Sequence, residues 1–183
     1  ILHINPLESF YLNLGNDQCN ITQECRIIPN ATDTSTLNFV YKGAESMDDL
    51  PHTLIFVNKV IDSQLVWRRS QEILPTHLQQ SMDYLNAQQS SWSKTLGLQC
   101  FQDSQTRVLI VMEIGGMGLD IPDITLAVQF GGPLSFTIWL QCTGYAGWSP
   151  HVQAQEILLV ESSALQCVGS NTMGIAGGEN NEE

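Results

Sequence analysis

Positive charge is what this 183-residue chain lacks most. Seven basic residues (Arg26, Lys42, Lys59, Arg68, Arg69, Lys94 and Arg107) stand against 19 acidic ones, for a net charge of −12. Phosphate contacts supply most of a protein's affinity for nucleic acid, so strong DNA binding by this chain alone is not expected. No apolar run reaches the ~18 residues of a membrane-crossing helix, so no membrane partner is expected. The opening ILHINPLESF has no basic stretch followed by an apolar one and does not read as a signal peptide. None of the five cysteines (Cys19, Cys25, Cys100, Cys142, Cys167) has a C-x-x-C neighbour, which removes the usual structural zinc pattern. An odd count at wide spacing reads as reduced thiols in an intracellular protein. There is no internal repeat. His52, His77 and His151 have no Ser or Cys nucleophile at a convincing spacing and read as surface or loop residues. Asn20-Ile-Thr and Asn30-Ala-Thr match the glycosylation sequon, a pattern common by chance.

What is there is a strongly patterned centre, residues 107–148. A β-branched and Leu run at 108–111 predicts a buried strand. Gly115, Gly116 and Gly118 follow, where the backbone must turn tightly or approach a ligand. Asp120-Ile-Pro closes that turn, and 124–130 makes a second apolar strand. A helix carrying Phe136, Ile138, Trp139 and Leu140 comes next, with Trp139 as core, and a second glycine-rich turn ends the stretch.

The flanks alternate strand and helix. Residues 21–28 form a plausible strand, and Asp33 or Thr34 caps a short helix through Tyr41. TLIFV at 53–57 is the clearest strand before the centre. A helix over about 60–73 has Ile61, Leu65, Ile73 and Leu74 spaced for one buried face, and Pro75 stops it. A strand at 82–87 and a helix at about 89–102 follow, the helix with Trp92, Leu96 and Phe101 as core contacts. QEILLV at 155–160 is the last strand, and 162–183 reads as a flexible tail. The alternation from 53 to 160 predicts an α/β fold, a doubly wound parallel sheet.

The centre resembles motifs V and VI of superfamily 2 helicases, most closely the RecQ family. Family motif V reads approximately A-T-(E/D)-A-x-G-M-G-(I/L/M)-D-(I/K)-P-(D/N)-(I/V). Here Val111-Met112-Glu113-Ile114-Gly115-Gly116-Met117-Gly118-Leu119-Asp120-Ile121-Pro122-Asp123-Ile124 stands in its place. Family motif VI reads Q-R-x-G-R-x-G-R, and here it is Gln141-Cys142-Thr143-Gly144-Tyr145-Ala146-Gly147-Trp148. The Gln and both glycines are kept, and all three arginines are replaced. Residues 14–22, which contain Gln18-Cys19-Asn20-Ile21, resemble the R-P-N-(I/L) element that leads into the second lobe, with Gln18-Cys19 in place of the Arg-Pro pair.

The resemblance implies a RecA-like fold, the helicase C-terminal lobe of a P-loop NTPase, at 53–161. Residues 1–52 would be linker and first-lobe remnant. It implies an ATP-dependent 3′–5′ DNA helicase, with ATP and Mg as cofactors, DNA as partner, a monomeric state and a nuclear location. Gly116, Gly118, Asp120 and Gln141 would face the nucleotide, while Asn58 and Glu113 would face nucleic acid. Cys142, Tyr145 and Trp148 occupy the arginine-finger positions, and none is cationic at neutral pH. The 183 residues contain neither a G-x-x-x-x-G-K-(S/T) loop nor a D-E-x-(H/D) motif, the groups that cradle phosphate and hold metal. This chain alone is therefore expected to be inactive. A non-catalytic nucleic-acid- or protein-binding module is the alternative.

Overall fold

The computed structural model describes residues 20–112, 121, 123–147, 149 and 151–165. Six strands run β1 (Ile21–Ile28), β2 (Thr53–Val57), β3 (Met82–Leu85), β4 (Val108–Met112), β5 (Leu126–Phe130) and β6 (Ala154–Glu161). They form one sheet in the order β1-β6-β5-β2-β4-β3, and every neighbouring pair is parallel. Among the described residues four α-helices lie between or after them: α1 (Val60–Ile73), α2 (Ser91–Gln102), α3 (Phe136–Thr143) and α4 (Ser162–Leu165). β2 and β5 are buried at every residue, and β4 at all but Met112, as a sheet covered on both faces requires. The doubly wound α/β expectation holds. β1, from the segment read as linker, is an edge strand of this same sheet.

Two cores result, one per face. On the first, Ile55, Val57, Val108, Ile110, Val128, Ile157 and Leu159 meet α1 and a 3₁₀ turn over Thr34–Val40. The Asp33 carboxylate caps that turn by accepting from Ser35 N at 2.9 Å. On the second face, Leu54, Phe56, Leu109, Val111 and Ala127 meet α2 and α3.

The helices turn differently from the expected faces. In α1 the buried positions are Ser63, Val66 and Ser70; Ile61 and Leu65 are exposed at 53% and 38%, while Ile73 and, just past the helix, Leu74 pack on the first core as expected. Small side chains let this helix approach the sheet, and both serine hydroxyls bond to carbonyls of their own helix, at 2.7 Å to Val60 O and 2.6 Å to Trp67 O. In α2, Phe101 is fully buried as expected, but Trp92 is 73% and Leu96 44% exposed. Gly97 takes the contact instead. A Cβ there would sit 2.9 Å from Leu85 Cδ2, so α2 touches β3 with its backbone. Two smaller departures concern ends. The strand expected over 82–87 stops at Leu85, and the first residues of the expected tail form α4, the remainder lying outside the described residues.

These assignments separate two aromatic substitutions. Phe101→Ala should cost about 3–5 kcal/mol. Trp92→Ser should change stability by no more than about 0.5 kcal/mol. Urea denaturation of both variants measures the difference, and equal losses would place Trp92 in the core after all.

Candidate functional site

The second glycine-rich turn is built from the helix before it and the strands around it. Ser135 caps α3 by accepting from Ile138 N at 3.2 Å. The eight-residue helix then delivers Cys142, and just beyond it Tyr145, to the second face of the sheet. Cys142 is 2% exposed, and Tyr145 stacks on Phe56 with ring centroids 6.1 Å apart. Ala146 is buried beside them, while Gln141 and Gly144 lie on the surface. Two of the three arginine-finger positions therefore hold side chains packed into the core. Trp148 lies outside the described residues.

The turn is then locked down at Gly147. Its φ is +68°, and an added Cβ would lie 2.8 Å from Ile21 Cγ1 and 3.0 Å from Asn20 Nδ2, so no other residue fits. Its N–H donates to Ile124 O at 3.1 Å, just before β5. The buried Asn20 amide donates to three carbonyls of the turn, Gly147 O (2.8 Å), Val152 O (2.9 Å) and Ser149 O (3.2 Å). Asn20 O in turn accepts from Ala154 N at the start of β6. Asn20 thus ties the entry of β1 to the turn through its side chain and to the start of β6 through its backbone, while Gly147 N–H joins the turn to the residues before β5. Burial of Asn20 also closes the first sequon to modification in the folded chain. The sequence carried a hint of it in the R-P-N-like element, but no signal of its partners 127 to 132 residues away.

His52 stands at the same end of the sheet, in the loop before β2 as expected, but it is buried rather than on the surface. Its Nε2 is 3.1 Å from Phe101 O, and its ring lies 4.1 Å from that of Phe101. Burial pushes the imidazole below its ordinary 6.5, against the pull of the Phe101 carbonyl. Its own carbonyl accepts from Thr125 N and Leu126 N, which joins the start of β2 to that of β5. His77 and His151 are exposed.

Asn58 lies at the other end of the sheet, after β2, roughly 16 Å away along a five-residue strand. Its Nδ2 donates to Gly132 O at 2.7 Å, and its Oδ1 accepts from Gln129 Nε2 at 3.2 Å. The amide expected to meet nucleic acid is spent on bracing the exit of β5. The second glycine-rich turn and Asn58 thus lie at opposite ends of the strands. Glu113, Gly116, Gly118 and Asp120 lie outside the described residues, though Ile121 and Ile124 beside them are buried in the second core. Among the described residues no helix is long and apolar enough to cross a membrane.

The family model described as "Helicase conserved C-terminal domain" matches residues 37–156. No curated protein matches by sequence. Solved structures share the fold at low identity. The DEAD-box protein SrmB of E. coli, bound to the regulator of ribonuclease activity A, is 19% identical, with TM-score 0.61 and 76% of each chain covered. The yeast DEAD-box splicing factor Prp28 is 19% identical at TM-score 0.63, over 77% of this chain and 29% of that one. Domain 2 of the DEAD-box helicase Mss116p, bound to an RNA duplex, is 13% identical at TM-score 0.59, over 76% and 54%. The chain thus spans less than two thirds of the Prp28 and Mss116p chains.

Two outcomes follow from the clamp and its surroundings. Asn20→Ala should cost about 1–3 kcal/mol, because Gly147 O is left buried without its donor. Cys142→Arg should cost at least about 3 kcal/mol, since it places a charge among Leu54, Phe56 and Ala127. Denaturant midpoints of both variants test this, and a Cys142→Arg protein as stable as its parent would show that the position opens freely to solvent. The pH dependence has a defined sign. With the His52 pKa depressed in the fold, the unfolded chain takes up the proton first. Stability should therefore fall as pH drops below about 6.5, and a His52→Gln variant should lose that part of the pH dependence.

Proposed function

We propose that this chain, which belongs to the helicase conserved C-terminal domain family, is the second lobe of a RecQ-like superfamily 2 helicase that no longer supports ATP hydrolysis. The RecQ-like assignment rests on the Gly116-Met117-Gly118-Leu119-Asp120-Ile121-Pro122 run and makes DNA the expected track. The loss of hydrolysis rests on one observation: Cys142 and Tyr145, at arginine-finger positions, are packed side chains of the core.

Phosphoryl transfer needs a positive group on the charge that develops at the transferred phosphate. No Lys or Arg follows Arg107 anywhere in the chain, so neither glycine-rich turn carries a cation of its own. Arg107 itself donates through Nε to Leu50 O at 3.1 Å, which ties it to the loop before β2. The residues present do not fit a Mg-bound triphosphate, and no hydrolytic step is assigned to them. A lost finger costs roughly three to five decades in rate, or about 4–7 kcal/mol of barrier at ~1.36 kcal/mol per decade.

A second reading, a nucleic-acid-binding lobe without turnover, is favoured by the likeness to Mss116p domain 2, a lobe of this fold that holds an RNA duplex. The loss of hydrolysis, common to both readings, is tested by joining the chain to the P-loop lobe of an active RecQ-like helicase. DNA-stimulated ATP turnover should lie at least about a thousandfold below that of the parent enzyme. Parental turnover would sink the proposal. Fluorescence anisotropy of the chain with single-stranded DNA and with duplex RNA, over a salt series, reads the second function. For single-stranded DNA a slope near ~0.7 per phosphate, for one or two phosphates, fits a weak binding lobe, and no binding to either probe leaves only the lost-helicase reading.

A further inference from the structure

β1 (Ile21–Ile28) is one edge of the sheet: β6 pairs with one side of it, and among the described residues nothing pairs with the other. The direction of its backbone groups can be worked out. Asn20 O accepts from Ala154 N, so Asn20 and every second residue after it address β6. Ile21, Gln23, Cys25 and Ile27 therefore present N–H and C=O outward. Cys25 is exposed, and Ile27 is 62% exposed, an apolar residue on an open edge. Such an edge is a template for another strand.

The geometry points to a second copy of this chain as that strand, paired antiparallel through β1 with Cys25 on the two-fold axis. In this register Cys25 faces its twin, and Gln23 faces Ile27 of the second copy on both sides. All of these are outward-directed residues, so each pair exchanges two N–H···O bonds. Pro29, which has no N–H, ends the ladder. Between the hydrogen-bonded pairs, Glu24 faces the second copy's Arg26 and Arg26 the second copy's Glu24. Within one chain Arg26 already holds Glu24 through Nε–Oε1 (2.7 Å) and Nη2–Oε2 (2.8 Å), and lies 4.6 Å over the Phe39 ring. The dimer joins two such pairs into a four-charge cluster on one face.

Charge selects this register over its neighbours. Moving the axis one residue toward the N-terminus sets Glu24 against Glu24, and one residue the other way sets Arg26 against Arg26, both destabilising across a strand pair. Larger shifts lose the opposite-charge contact altogether. Among the registers that set outward backbone groups against each other, this one alone is electrostatically self-complementary. The expected monomer gives way to a two-fold dimer, and this holds whether or not the chain once worked as a helicase lobe.

Light scattering coupled to size exclusion, at tens of micromolar and moderate salt, should give twice the monomer mass. Glu24→Arg alone and Arg26→Glu alone should each yield monomer, and the double variant E24R/R26E should restore the dimer, because it exchanges the charges and keeps their complementarity. A short bis-maleimide should link two chains through Cys25, and the link should vanish in Cys25→Ser but persist in Cys100→Ser. A monomer at every concentration overturns the proposal. A dimer that survives either single charge change, or that links through Cys100 instead, overturns this register.

Discussion

The buried ladder of β2 between β4 and β5 is the constraint on which the rest depends. All five residues of β2 are buried, so no water can serve its peptide groups, and each must find its partner in a neighbouring strand. The register is flush on both sides: Thr53 aligns with Val108 and with Leu126, and Val57 with Met112 and with Phe130. Because all strands run one way, every chain reversal on the second face must return through a helix. That requirement carries α3 from the exit of β5 back to the entry of β6, and it sets the glycine-rich turn against the starts of three strands. Asn20, Gly147 and His52 meet at that end as a consequence of topology.

Fold and chemistry are separable in this chain. The turn keeps what the backbone needs, a glycine at positive φ and a donor that satisfies its carbonyls. It has exchanged what catalysis would need. Cys and Tyr at 142 and 145 are residues that the second core accepts, and each hides surface that an arginine would have to hold toward solvent. Burial of Tyr145 against Phe56 adds an aromatic contact to that core. Positions 142 and 145 thus add packing to the second core.

The acidic balance and the strand edge bear on what the domain can meet. With a net charge of −12 it repels polyanions at long range, which leaves short-range, shape-matched contacts as its best means of association. β1 supplies such a surface, with one carboxylate and one guanidinium two residues apart on the same face.

By itself the sequence determined the parallel α/β architecture, the extents of β2, α1 and β4 to within a residue, and the loss of the arginines. Those follow from local facts: β-branched runs, a Pro at the end of α1, and the side chains that stand in a short motif. Only the tertiary structure decided which helix faces are buried. Periodicity ranked Ile61, Leu65, Trp92 and Leu96 by hydrophobicity, but the sheet is approached through Ser63, Ser70 and Gly97, whose small size permits contact that bulk prevents. Only the tertiary structure gave Asn20 its role, because its three acceptors are far away in the chain and are carbonyls that carry no side-chain signature. The same holds for Asn58, whose local setting after a strand suits a phosphate contact, yet whose amide is held by Gln129 and Gly132, brought beside it by the pairing of β2 with β5.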